Sequence, residues 1–243
     1  MTENQTDEEE QTLVSREFRL AQIAGGSDLR FSYSEDTAIE KWSLEMKPEE
    51  LIDYEDIGPI IPESPKFNGS TSGTHLWEFD RYGKGSGIVE LDFKLRNVSD
   101  NSIKEQFIYH LNVGENNRTI KMIAARQLET SDNPLETGLK IEENKTADMT
   151  FHESVEPAEK WTLETVEYGG KLNTANENIS ISETDDIPIH NWKFEGEKQG
   201  SVRLTYQAEI SENAVKEIHY DMYVNEDMTI EIVNVEYNTY RFD

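Results

Sequence analysis

The sequence predicts an all-β protein made of two tandem β-sandwich domains. Three observations predict it. Four sequence blocks recur in the same order, apolar residues alternate within each block, and glycine- or asparagine-rich turns separate the blocks.

The blocks justify the elements one by one. "EKWSLE" (40–45) returns as "EKWTLE" (159–164), 119 residues apart at the tryptophans. "HLWEF" (75–79) returns as "HNWKF" (190–194), 115 apart, and "GIVELDF" (87–93) as "GSVRLTY" (200–206), 113 apart. "FIYHLNV" (107–113) is answered by "IHYDMYV" (218–224), 111 apart. The slow drift of the offset is what small loop deletions between preserved strands produce. Alternation places Trp77 and Phe79, then Val89, Leu91 and Phe93, then Phe107, Tyr109, Leu111 and Val113 on inward faces. The second copy repeats this with Trp192 and Phe194, then Val202, Leu204 and Tyr206, then Ile218, Tyr220, Met222 and Val224. A period of two rich in β-branched and aromatic residues marks strands buried on one face.

The expected organisation is an acidic disordered tail at 1–14, a first domain at 15–115, and a second at 116–243 with an extra C-terminal strand. "REFRLAQI" (16–23) and "RTIKMIAA" (118–125) both read as first strands. "MTIEIVNV" (228–235) has the same flavour, and reads either as a closing strand or as the start of a third copy.

Composition excludes several functions. The 50 acidic and 23 basic residues leave a net charge of -27, a field that repels nucleic-acid phosphates and anionic lipid. With no cysteine there is no disulfide framework, thiol nucleophile or thiolate metal site. No apolar run approaches the roughly 20 residues that span a bilayer, so no membrane insertion is expected. The polar start "MTENQTDEEEQT" reads as a tether. Six N-x-S/T patterns, at Asn4, Asn68, Asn97, Asn117, Asn144 and Asn178, would mark surface loops in a secreted protein, and an extracellular or cell-surface location is expected.

Taken as an ordered set, "KWSLE", "GSTSGTHLWEF", "GIVELDF" and "FIYHLNV", with "KWTLE", "IHNWKF", "GSVRLTY" and "IHYDMYV", resemble the chagasin family. These are immunoglobulin-like β-sandwich inhibitors of papain-like cysteine proteases. The resemblance implies two immunoglobulin-like sandwiches, each presenting loops at one end to a protein target, with no cofactor. The residues it points to are Asp36, Thr37, Ala38 and Ile39 before the first tryptophan, with Glu156, Pro157 and Ala158 as their counterparts in the second copy. Ser70, Thr71, Ser72 and Gly73 stand for the middle loop and Arg96 for the third. The loops depart from the family. "SEDTAIEKW" (34–42) and "HESVEPAEKW" (152–161) lack its Asn-Pro-Thr-Thr-Gly, and "KLRNVSD" (94–100) and "QAEISEN" (207–213) lack its Arg-Pro-Trp. Tips that carry glutamate have to desolvate charge on entering a cleft. The expected function is a non-enzymatic binding protein resembling a cysteine protease inhibitor; the alternative is a cell-surface structural or adhesion module that has lost the inhibitory loops.

Other motifs take bland explanations. "YGKGSG" (82–87) lacks the helix a phosphate cradle needs and reads as a hairpin turn. His75 and His190 read as partly buried strand residues rather than metal ligands. The acidic groups 7–10 and Glu183, Asp185 and Asp186 lack calcium-loop spacing and read as solvated. "DNPLETG" (132–138) resembles the inhibitory loop in letters but stands in the wrong place, and reads as a turn. No nucleophile elbow or metallopeptidase motif is present, so an enzyme is not expected.

Overall fold

The computed structural model describes residues 14–23, 29–61, 72–80, 82–115, 119–128, 136–143, 145–152, 161–181, 188–211 and 213–242. Every regular element among them is a strand, and every named strand pairing is antiparallel. The strands are β1 (Val14–Ile23), β2 (Leu29–Asp36), β3 (Glu40–Lys47), β4 (Tyr54–Ile60), β5 (Ser72–Phe79), β6 (Gly87–Asn97), β7 (Ile103–Val113) and β8 (Ile120–Leu128). After them come β9 (Glu136–Glu142), β10 (Thr146–His152), β11 (Trp161–Tyr168), β12 (Lys171–Ile181), β13 (Pro188–Lys198), β14 (Gly200–Ser211), β15 (Ala214–Val224) and β16 (Ile230–Phe242).

Alternation explains the strands. In β6 the side chains of Val89, Leu91, Phe93 and Leu95 are buried, while Glu90, Asp92 and Lys94 take the other face. There the Lys94 ammonium lies 2.8 Å from Asp92 and 3.0 Å from Glu45. β7, β14 and β15 follow the same rule, and all the alternating apolar residues named from the sequence are buried.

The hydrogen-bonding order repeats. In the first half, β1-β2-β5-β4 form one row and β3-β6-β7-β8 another; in the second half, β9-β10-β13-β12 and β11-β14-β15-β16 do the same. Rings from the two rows of each half meet: Phe31 stacks on Phe93 at 4.8 Å and Tyr33 on Trp42 at 4.6 Å, and Phe151 stacks on Tyr206 at 4.2 Å. Such offset and edge-to-face pairs add directional attraction to the burial of large apolar surfaces.

β8 and β16 join the halves. β8 pairs with β7 from Gln106↔Leu128 to Val113↔Ile120 and, on its other edge, with β9 from Ala124↔Lys140 to Leu128↔Glu136. β16 stands in the same way between β15 and β1, the latter from Val14↔Phe242 to Gln22↔Asn234. The two strands touch at Met122↔Ile232, 110 residues apart. Each also carries a bulge at the equivalent place, with Ile123 extra against His110/Leu111 and Val233 extra against Asp221/Met222. A bulge bends a strand and increases its twist, which suits a strand that must leave one partner for another. "RTIKMIAA" therefore corresponds by position to "MTIEIVNV", and pairs both with the last strand of the preceding blocks and with β9 of the second half.

Two turn expectations change. "YGKGSG" does not close a hairpin, because β5 pairs with β2 and β4 whereas β6 pairs with β3 and β7. It is a crossing between rows, braced where Lys84 N donates to Leu51 O at 2.7 Å and Asp80 N to Asp53 O at 2.9 Å. A Cβ on Gly83 would meet Val113 Cγ1 at 2.2 Å, so the glycine there answers to packing. Within "DNPLETG", Glu136 to Gly138 begin β9 instead of forming a turn. A Cβ on Gly138 would meet Ala125 O at 2.3 Å, so close backbone approach between β8 and β9 accounts for a glycine that reads as punctuation. The acidic tail at 1–13 lies outside the described residues, and Val14 belongs to β1.

Candidate functional site

The β2–β3 turn is built by its own polar groups. Ile39 N donates to Asp36 O at 3.0 Å, and the Asp36 carboxylate accepts from Ala38 N at 3.1 Å. Asp36 N in turn donates to Glu40 Oε1 at 3.1 Å. Short aspartate side chains favour such turns because they mimic a backbone acceptor. Pairing brings the start of β5 alongside, with Asp36↔Ser72 and Glu35↔Gly73 in register. The β6–β7 turn docks on the other side, where Val98 N donates to Ile39 O at 2.9 Å.

Asp36, Thr37, Ala38, Ile39, Ser72 and Gly73 thus stand together at one end of the first half. Arg96 is held against its own turn, donating from Nη1 to Asn101 O at 3.2 Å, opposite Lys41. Ser70, Thr71, Glu156, Pro157 and Ala158 lie outside the described residues, as do Glu183, Asp185 and Asp186. Beside the turn is a concavity of about 510 Å³ whose walls include Arg19, Asp36, Ile39, Ser72, Leu95 and Lys104.

The glutamates of this end do not project into solvent. The Glu35 side chain is 2% exposed; its Oε2 accepts from Trp42 N at 2.9 Å and lies 3.3 Å from His75 Nδ1. One carboxylate therefore ties the strand entering the turn to the strand leaving it. His75 Nε2 lies 2.7 Å from Asp56 Oδ1 on β4, and its ring stacks on Trp77 at 3.8 Å. Burial alone would lower the His75 pKa, but the Glu35 and Asp56 carboxylates outweigh it and hold the imidazole above its ordinary value. Glu40 is bound to Lys104 at 3.0 Å. At the tips of the two turns Ala38, Ile39 (53%) and Val98 (59%) are exposed, next to Ser99 and to the Asp100 carboxylate, which accepts from Ser102 N at 2.9 Å.

A buried arginine completes the frame. Arg19 on β1 reaches across to β7, its Nε and Nη2 donating to the two Glu105 oxygens at 3.1 and 3.0 Å, and it lies over the Trp42 ring at 5.1 Å. Its Nη1 donates to Ser34 Oγ. Two carboxylates occupy the nitrogens of His75, so this histidine has no nucleophile to activate. Among the described residues no group of acidic or histidine side chains is arranged to hold a metal ion, and no helix is long and apolar enough to cross a membrane.

Parts of this frame recur in the second half. Phe151 stands opposite His190 as Tyr33 stands opposite His75, and Glu177 stands opposite Trp192 as Asp56 stands opposite Trp77. Glu153 follows Phe151 at the spacing that separates Glu35 from Tyr33, and lies outside the described residues. The sequence carries the His-x-Trp signal plainly, but the carboxylates 40 and 19 residues away from His75 become its neighbours only through strand register.

Fold and loop end together define the class: an all-β antiparallel protein with a duplicated strand order and a turn that exposes Ala38 and Ile39 at one end of its first half. Comparison with family models, with curated proteins and with solved structures returned no match.

Proposed function

We infer that the chain is a non-enzymatic binding protein of two tandem immunoglobulin-like sandwiches, which resembles cysteine protease inhibitors and contacts a protein target with the loop end of its first half. One observation carries this reading. The glutamates flanking the β2–β3 turn are already paired with His75, Trp42 N and Lys104, so the exposed Ala38 and Ile39 meet a partner without stripping water from an unpaired glutamate. A turn stapled by Glu35 is also ordered before it binds, which lowers the entropy cost of association.

The test is titration of papain-like proteases with the purified chain. Inhibition is expected, weakened about tenfold or more by Ile39→Glu, because that change places an unpaired charge in the contact. An absence of inhibition at micromolar concentration, from protein that retains β-type circular dichroism, would overturn the inhibitory reading. The second reading, an extracytoplasmic structural or adhesion module, draws on the long β1–β16 pairing, which ties strands from opposite halves into one sheet. It would then be the one to pursue.

A further inference from the structure

Four strands have only one neighbour among the described residues: β3, β4, β11 and β12. A free edge presents unpaired backbone donors and acceptors, and most proteins blunt it with charge, proline or a bulge. β4 is blunted in several ways at once. It carries Glu55, Asp56 and Pro59, and is broken by a bulge at Asp56/Gly58, where Gly58 takes φ +73°. β3 carries Lys41, Glu45 and Lys47 in eight residues, and β11 carries Glu164 and Glu167.

β12 occupies the place in the second half that β4 occupies in the first, and lacks these devices over its C-terminal part. From Asn176 to Ile181 it pairs with β13 without interruption, contains no proline, and bears a single charge, Glu177. All six residues are exposed. On one face Asn191 Nδ2 donates to Asn178 Oδ1 at 3.2 Å and Thr150 Oγ1 donates to Asn191 Oδ1 at 3.1 Å, a polar ladder that holds the strand in register. The other face shows Glu177, Ile179 at 63% exposure and Ile181 at 66%.

We propose that the Asn176–Ile181 edge of β12 is a docking strand for an extended segment of a partner protein, which adds antiparallel or parallel to it with two alternate apolar residues over Ile179 and Ile181 and a lysine or arginine against Glu177. Backbone pairing supplies the affinity and the alternate side chains the selectivity. Charge selects the partner. A second copy would bring another chain of net charge -27 to the edge with no cation of its own at this stretch, whereas a basic segment is drawn in by the field of the whole molecule. The proposal does not depend on the loop end, and protease titration neither supports nor removes it.

The experiment uses the full chain and a blocked synthetic heptapeptide in which two valines alternate with threonines and a lysine stands at each end, followed by fluorescence anisotropy. Saturable binding is expected, reduced about tenfold or more by Ser180→Pro and by Ile179→Glu, and unchanged by Ile57→Glu on the blunted β4 edge. Circular dichroism of each variant checks that the fold survives. No saturable binding to wild type, or equal binding to Ser180→Pro, would overturn the proposal. So would a concentration-dependent dimer that Ser180→Pro abolishes, since the edge would then belong to a second copy.

Discussion

His75 shows how one side chain can set the shape of a turn it does not belong to. Its charge is held between Glu35 and Asp56, and Glu35 in turn fixes Trp42 N. Because the folded pKa is raised, the stabilisation is fully present below the unfolded value of about 6.5 and is lost as pH rises through the folded value. The difference in melting temperature between wild type and His75→Gln is therefore expected to be largest in mildly acidic buffer and to shrink as the buffer becomes alkaline. A difference that grows with pH would contradict the charged imidazole. Arg19 is a second residue-scale dependence. With its guanidinium side chain 5% exposed and bidentate to Glu105, Glu105→Ala strands a buried cation and is expected to cost about 3–5 kcal/mol in urea unfolding.

At the scale of elements, the central strands were readable because each buries one face. Val89, Leu91 and Phe93, like Val202, Leu204 and Tyr206, had to alternate with polar residues for β6 and β14 to form. The edge strand β12 escaped notice for the converse reason: it is almost entirely exposed, so "NTANENIS" needs no hydrophobic period. β9 was hidden by Gly138, whose cause is contact with Ala125 O rather than a turn. Trp77 is fully buried on β5 and Trp192 is 6% exposed on β13. Each change to alanine is expected to destabilise by about 3–5 kcal/mol, as truncation of large core side chains does. Unchanged melting in both variants would contradict the inward face assigned to these strands.

For the whole molecule, the consequence of β8 and β16 is mechanical and thermodynamic coupling. Each strand hydrogen-bonds in both halves, and the Tyr237 ring of β16 packs on Phe107 of β7 at 4.7 Å and on Tyr220 of β15 at 6.4 Å. Calorimetry is accordingly expected to show one transition, moved to lower temperature by either tryptophan variant; two transitions, each responding to one variant, would mean that the halves unfold independently. The sequence by itself determined the all-β class, the inward residues and the repetition, since these follow from a local period of two and from recurring blocks. The place of β8 and β16 between the halves, the pairing of Glu35, His75 and Asp56, and the meeting of the Ile39 and Val98 turns at one end were decided only by tertiary structure. Each depends on strand register between residues tens of positions apart, and no local pattern encodes that register.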